Sequence, residues 1–82
     1  MKYKAVLKPK AIKDLQKLPP NIQTRILEKV EFMKDDLQGD VKHLTSFTPE
    51  YRLRVGDYRI LFEIEDREIV IYRIRHRNTA YS

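Results

Sequence analysis

The sequence predicts a small α+β domain of element order β-α-α-β-β-β, an antiparallel sheet of about four strands covered by an αα-hairpin. Three observations carry this. Residues 51 to 65, Tyr-Arg-Leu-Arg-Val-Gly-Asp-Tyr-Arg-Ile-Leu-Phe-Glu-Ile-Glu, alternate with period two about a central Gly56-Asp57. Two helically spaced apolar stripes flank Pro19-Pro20. Ile69-Val70-Ile71-Tyr72 is apolar on both faces, as a strand covered on both sides should be.

Tyr3 to Leu7 reads as a first strand, with Tyr3, Ala5 and Leu7 alternating against lysines that would discourage edge-to-edge association. Pro9 suits the first turn of a helix, where its missing N–H costs nothing. Ala11, Ile12, Leu15 and Leu18 form the buried stripe of that helix, and Pro19-Pro20 ends it. The second helix is expected from about Asn21 to Lys34, burying Ile22, Ile26, Val30 and Met33, widened by Leu27. Residues 35 to 50 read as irregular, with a turn at Gly39-Asp40 and with Leu44 and Phe47 pinning the loop to the core.

In the hairpin, Gly56 and Asp57 as turn residues place Val55 opposite Tyr58, Arg54 opposite Arg59 and Leu53 opposite Ile60. Arg52, Arg54 and Arg59 then share one face. Opposed like charges cost roughly 0.2–1 kcal/mol in a ladder. The patch therefore reads either as an anion site suited to phosphate or as an arginine-rich solvated face. The chain continues past Asp66-Arg67 into the last strand and a basic tail, Arg73-Ile-Arg-His-Arg77 with Tyr81, which leaves the sheet.

At 82 residues the chain is expected to form one domain, residues 1 to 82, near the lower limit for a single core. It has no cysteine, and His43 and His76 do not stand at metal-ligand spacing, so no metal or other cofactor is expected. His43 reads as an exposed loop residue. No apolar run has the length of a signal peptide or membrane span, which makes the cytoplasm the expected location. The net charge of +5 points to an acidic or nucleic-acid partner. No lysine follows Lys42, and every guanidinium or ammonium from Arg52 onward is arginine, the planar fork suited to phosphate.

Arg73, Arg75, His76, Arg77 and Tyr81, if delivered beside the hairpin arginines, supply what RNA cleavage requires: charge stabilisation, a group titrating near neutrality and a ring to stack on a base. A basic tail that binds nucleic acid without chemistry accounts for the same residues.

These motifs resemble the RelE/ParE superfamily of toxin–antitoxin systems, closest to its RelE branch. The resemblance runs along almost the whole chain: the first strand, Ala-Ile-Lys-Asp-Leu-Gln-Lys-Leu ended by Pro19-Pro20, Val41-Lys-His-Leu44, the hairpin Tyr51 to Ile64, Arg73 to Arg77, and Tyr81. It implies a ribosome-dependent endoribonuclease cutting mRNA in the A site by metal-independent 2′-hydroxyl attack, and suppressed by a RelB-like antitoxin in a hetero-oligomer. By the family pattern Arg52 and Arg59 hold the scissile phosphate, Arg54 acts on the 2′-hydroxyl, Arg77 serves the leaving oxygen and Tyr81 stacks on a base. His76 is a further candidate for proton transfer.

The chain departs from that pattern where some relatives carry lysine at the positions of Arg52 and Arg54, since arginine is a poor base at neutral pH. Arg75 replaces a frequent glycine, Asn78 replaces a second basic residue, and the C-terminal helix of some relatives is not expected. Lys10, Lys13, Lys17 and Lys29, with Arg73 and Arg75, are the residues expected to meet ribosomal or messenger RNA. A ParE-type toxin that inhibits DNA gyrase, or an inactive relative that only binds antitoxin or RNA, is the alternative on the same fold.

Overall fold

The computed structural model describes residues 2–81. Its elements are β1 (Lys4–Leu7), α1 (Pro9–Gln16), α2 (Pro20–Met33), β2 (Val41–His43), β3 (Tyr51–Val55), β4 (Tyr58–Glu65) and β5 (Glu68–His76). The strands form one sheet in the order β1-β5-β4-β3-β2. Its pairs are antiparallel except β1 with β5, which run parallel.

Both helices begin on a proline, where fixed φ and a missing N–H are tolerated. They cover one face of the sheet. Ala11, Leu15, Ile26, Val30 and Met33 from the helices pack with Leu53, Val55, Ile60, Phe62, Ile69, Ile71 and Ile74 from the strands. Ile12 and Leu27, expected in the stripes, are 42% and 46% exposed. Each helix meets the sheet along a single narrow row, Ala11–Leu15 and Ile22–Ile26–Val30–Met33, so a residue one position off that row turns to solvent.

The sheet differs from expectation in two respects. A fifth strand, β2, lies in the stretch read as irregular, with Val41 opposite Leu53 and His43 opposite Tyr51. Three residues are too few for alternation to register. The pairing of β1 with β5 is parallel, a direction that side-chain periodicity does not encode.

Where β1 stops, α1 takes over the edge of β5. The Lys8 N–H donates to the Ile71 carbonyl at 2.8 Å. The next edge donor, the Ile74 N–H, goes to the Asp14 carboxylate at 3.0 Å. The same carboxylate accepts from Nε and Nη2 of Arg73 at 2.8 and 3.0 Å. A side chain from the helix thus satisfies a sheet edge that would otherwise be left open.

The far face is not bare. Leu61, Val70 and Ala80 are buried, yet they stand outside the helix-side cluster. The tail after β5 does not simply leave the sheet: the Tyr81 ring meets Phe47 of the β2–β3 loop edge-on, with centroids 5.2 Å apart. Phe47 therefore packs on the tail, not on the helix-side core as expected, while Leu44 is half-buried.

Candidate functional site

The hairpin forms in the expected register, Val55 opposite Tyr58, Arg54 opposite Arg59 and Leu53 opposite Ile60. Gly56 adopts φ +57°, which suits the first central residue of a tight hairpin turn and which other residues adopt at a cost. A Cβ there would also come within 3.4 Å of Nη1 of Arg25 on α2.

A bulge decides what stands beside the hairpin. The β4–β5 register shifts between Leu61 and Phe62, so that Phe62 faces Ile71 while Leu61 faces Arg73, leaving Tyr72 extra. Without that extra residue, strict alternation would put Arg73 and Arg75 on the side of Ile69 and Ile71, beneath the helices. With it, Ile74 joins Ile69 and Ile71 in the core, and both arginines turn to the face away from the helices.

Two rows of side chains result. Arg54, Arg59 and Arg75 lie directly abreast across β3, β4 and β5. Beside them run Lys42, Arg52, Leu61 and Arg73 across β2 to β5. Five arginines and a lysine on one rigid surface make a cationic grid whose spacing is set by the ladder.

The grid is only partly neutralised. Arg52 donates to the Asp40 carbonyl at 2.7 Å and to Asp40 Oδ1 at 3.1 Å, and its side chain is 15% exposed. Arg54 lies 3.8 Å from Asp40 Oδ2. Arg59 folds onto the turn, with Nη1 donating to the Gly56 and Tyr58 carbonyls at 3.0 and 3.1 Å. Among the described residues, no carboxylate lies within ion-pair distance of Arg59 or Arg75. Arg77 is fastened beside the turn, its N–H donating to the Asp57 carbonyl at 2.7 Å and its Nε 3.9 Å from Asp57 Oδ1.

The remaining expected residues fall in different places. Arg73 shares the grid face but is committed to Asp14, and that hydrogen bond holds its guanidinium above its ordinary pKa. Burial pushes the Asp14 carboxyl up, but the Arg73 hydrogen bond, the Ile74 N–H and the charges of Arg73 and Arg75 outweigh it and leave it below the ordinary value. The structure does not bring His76 to the arginines. It pairs with Tyr58 on the helix side of the sheet, its ring edge-on to Tyr58 at 5.6 Å, and its Nδ1 accepts the Asn78 N–H at 3.2 Å. Its parity follows from Arg75: neighbours on a strand point to opposite faces.

Tyr81 is 47% exposed and lines a cleft of about 390 Å³ with Lys42, His43, Thr45, Ser46 and Phe47. Lys10 and Lys13 are exposed along α1, Lys17 at its C-cap, and Lys29 on α2. His43 is exposed as expected, at the end of β2, its ring edge-on to Tyr51 at 5.0 Å. A groove of about 950 Å³ lies apart from the turn, among Lys8, Lys10, Pro49, Glu63, Tyr72 and Arg73. Burial and the neighbouring Glu65 raise the Tyr72 phenol there. Among the described residues no group of acidic or histidine side chains is gathered as a metal site would require, and no helix is long and apolar enough to cross a membrane.

Asp40 and Asp14 escaped the sequence reading. An acid between Gly39 and Val41, or between Lys13 and Leu15, carries no local sign of an arginine partner far along the chain.

Residues 5–81 match the family model for the ParE toxin of the type II toxin–antitoxin system parDE. The chain is 35% identical over 75 residues to toxin RelE3 of Methanocaldococcus jannaschii, which covers 85% of each chain. Its fold is similar to the RelBE2 toxin–antitoxin complex from Mycobacterium tuberculosis, with a TM-score of 0.78 and 29% identity over 93% of this chain and 99% of that one. A RelB–RelE antitoxin–toxin complex from Methanococcus jannaschii gives 0.76 and 30%, over 93% and 94%.

Proposed function

We infer, because this chain belongs to the RelE/ParE toxin superfamily of type II toxin–antitoxin systems, that it is a RelE-type endoribonuclease which cuts mRNA in the ribosomal A site. The observation that carries this reading is the row Arg54–Arg59–Arg75 across three strands. Aligned like charges destabilise a sheet, and a dense anion such as the phosphorane of RNA cleavage is what they suit.

In this reading the 2′-hydroxyl oxygen attacks the adjacent phosphorus, a 2′,3′-cyclic phosphate forms, and the bond to the 5′-oxygen breaks. Arg52 and Arg59 hold the non-bridging oxygens and take up charge as it develops. Arg54 polarises the 2′-hydroxyl. A guanidinium has no acceptor to take the proton, which passes to water, directly or through the Tyr81 hydroxyl as it hands on its own. Arg77, beside the turn, neutralises the departing 5′-oxygen, which takes a proton from solvent. His76, on the other face, plays no part. Tyr81 stacks on a base.

The partners in this reading are the ribosome, its mRNA and a RelB-like antitoxin, all in the cytoplasm. The complexes of RelE with RelB among the similar structures support the last. Lys10, Lys13, Lys17 and Lys29 meet ribosomal RNA, so that ribosome binding weakens steeply with salt.

The matched family model bears the ParE name, which favours a second reading, inhibition of DNA gyrase without nuclease chemistry. One experiment separates the two. Purified protein is added to programmed ribosomes and to the same mRNA alone, and products are mapped to single nucleotides. Cuts within the A-site codon, seen only with ribosomes and lost in Arg77→Ala, are the expected result. No cleavage in either tube, with inhibition of gyrase supercoiling, would overturn it.

A further inference from the structure

Asp14 and Asp40 both hold arginines of the open face, but in different ways. Asp14 is 13% exposed and held by three donors, one of them a backbone N–H. Asp40 is 52% exposed, and its carboxylate is divided, Oδ1 on Arg52 and Oδ2 toward Arg54. Oδ1 on Arg52 stands where a non-bridging oxygen of the scissile phosphate would lie, and Oδ2 toward Arg54 where the neighbouring 2′-oxygen would.

The surrounding chain is built so that this carboxylate can leave. The Asp40 carbonyl accepts the Arg54 N–H at 2.9 Å and Arg52 Nη1 at 2.7 Å, so backbone contacts pin both the loop and Arg52 whatever the carboxylate does. Gly39 brings the loop in. It sits at φ +111°, and a Cβ there would meet Leu53 Cδ1 at 3.2 Å. A larger residue would hold Asp40 away from β3.

We propose that the Asp40 carboxylate is an internal substitute for RNA phosphate, occupying the anion position between Arg52 and Arg54 in the free protein and giving it up to a phosphodiester when single-stranded RNA binds. The proposal rests on the nuclease reading for the identity of the anion only; the Asp40 contact itself belongs to the free protein. Asp40 is half exposed and Arg54, 3.8 Å away, is 55% exposed, so the carboxylate is held weakly enough to be displaced. Until then it keeps two like charges at i and i+2 from repelling each other and from collecting stray anions.

Asp40→Asn isolates the charge, since an amide oxygen still accepts from Arg52, and Asp40→Glu restores it. Binding of a 2′-deoxy-blocked oligoribonucleotide is followed by fluorescence anisotropy over a range of salt. The Arg52 and Arg54 Nε–H signals are followed by NMR during titration with inorganic pyrophosphate. Asp40→Asn should bind the oligonucleotide about three- to five-fold more tightly at low salt, the range of an exposed ion pair. Its salt slope should steepen by about 0.7, one further counter-ion released from a single strand. Asp40→Glu should match the wild type, and pyrophosphate should move both Nε–H signals at lower concentration in Asp40→Asn.

Equal or weaker oligonucleotide binding by Asp40→Asn, with an unchanged slope, would make Asp40 a strut and overturn the proposal. Pyrophosphate that left the Arg52 and Arg54 signals unmoved would overturn it as well. If the oligonucleotide bound neither protein while pyrophosphate still moved those signals more readily in Asp40→Asn, the exchange would stand and its occupant would not be free single-stranded RNA.

Discussion

Arg54 and Arg59 are directly opposed across the β3–β4 ladder, and Arg75 continues the row on β5. Each opposed pair carries a penalty of roughly 0.2–1 kcal/mol relative to a neutral pair. The hydrogen bonds from Arg59 to the turn carbonyls offset little of it, because water can take over at the exposed Gly56 oxygen and the Tyr58 oxygen is only partly buried. Arg59→Thr should therefore keep the stability of the wild type or raise it by up to about 0.5 kcal/mol, as read from the urea midpoint. A-site cleavage should fall by at least about a hundred-fold, the scale of losing one oxyanion-stabilising group. Loss of stability and cleavage together would make the row a structural feature.

Asp14 lies on the other side of that balance. It closes the β5 edge through Ile74 and fixes Arg73 with two hydrogen bonds. Asp14→Asn should destabilise the protein at neutral pH by about 1–2 kcal/mol, the usual cost of breaking charge-assisted hydrogen bonds that are partly buried. The folded-state pKa of Asp14 lies below its ordinary value, so the unfolded chain takes up a proton first as pH falls. The stabilisation is complete above the unfolded pKa of about 3.9 and disappears as pH drops through the lower folded value. Urea titrations of both proteins from neutral to strongly acid pH should show the gap closing across that window. A gap independent of pH would assign the effect to packing.

These two cases show which parts of the molecule could be read from residues alone. The hairpin was legible in register and facing, because Gly56-Asp57 and the alternation on either side of it from Tyr51 to Ile60 leave one arrangement that buries Leu53, Val55 and Ile60 together. The helices were legible from their prolines and apolar rows, though Ile12 and Leu27 show that the rows are narrower than propensity suggests. Two features were not. The extra residue at Tyr72 reverses the facing of everything after it, which delivers Arg75 to Arg59 and removes His76 to the helix side, and no local pattern marks a bulge inside an apolar run. Asp14 and Asp40 reach their arginines only through the tertiary fold.

Tyr81 supplies the last prediction. Its ring is 47% exposed and is oriented by Phe47, perpendicular at 88° with centroids 5.2 Å apart. If the ring stacks on a base, Tyr81→Ala should lower kcat/KM for A-site cleavage by about ten- to a hundred-fold, since a base–aromatic stack is worth about 1–3 kcal/mol. Tyr81→Phe, which keeps the ring, should retain most of the activity. Phe47→Ala removes only the neighbour that orients the ring, so it should raise KM by a few-fold, within the roughly 0.5–1.5 kcal/mol of an edge-to-face pair, and leave kcat nearly unchanged. Single-turnover cleavage on programmed ribosomes separates these effects. Should Tyr81→Phe lose as much as Tyr81→Ala, the hydroxyl and not the ring would be the working group, and Tyr81 would relay the proton of the 2′-hydroxyl to water, giving up its own as it accepts.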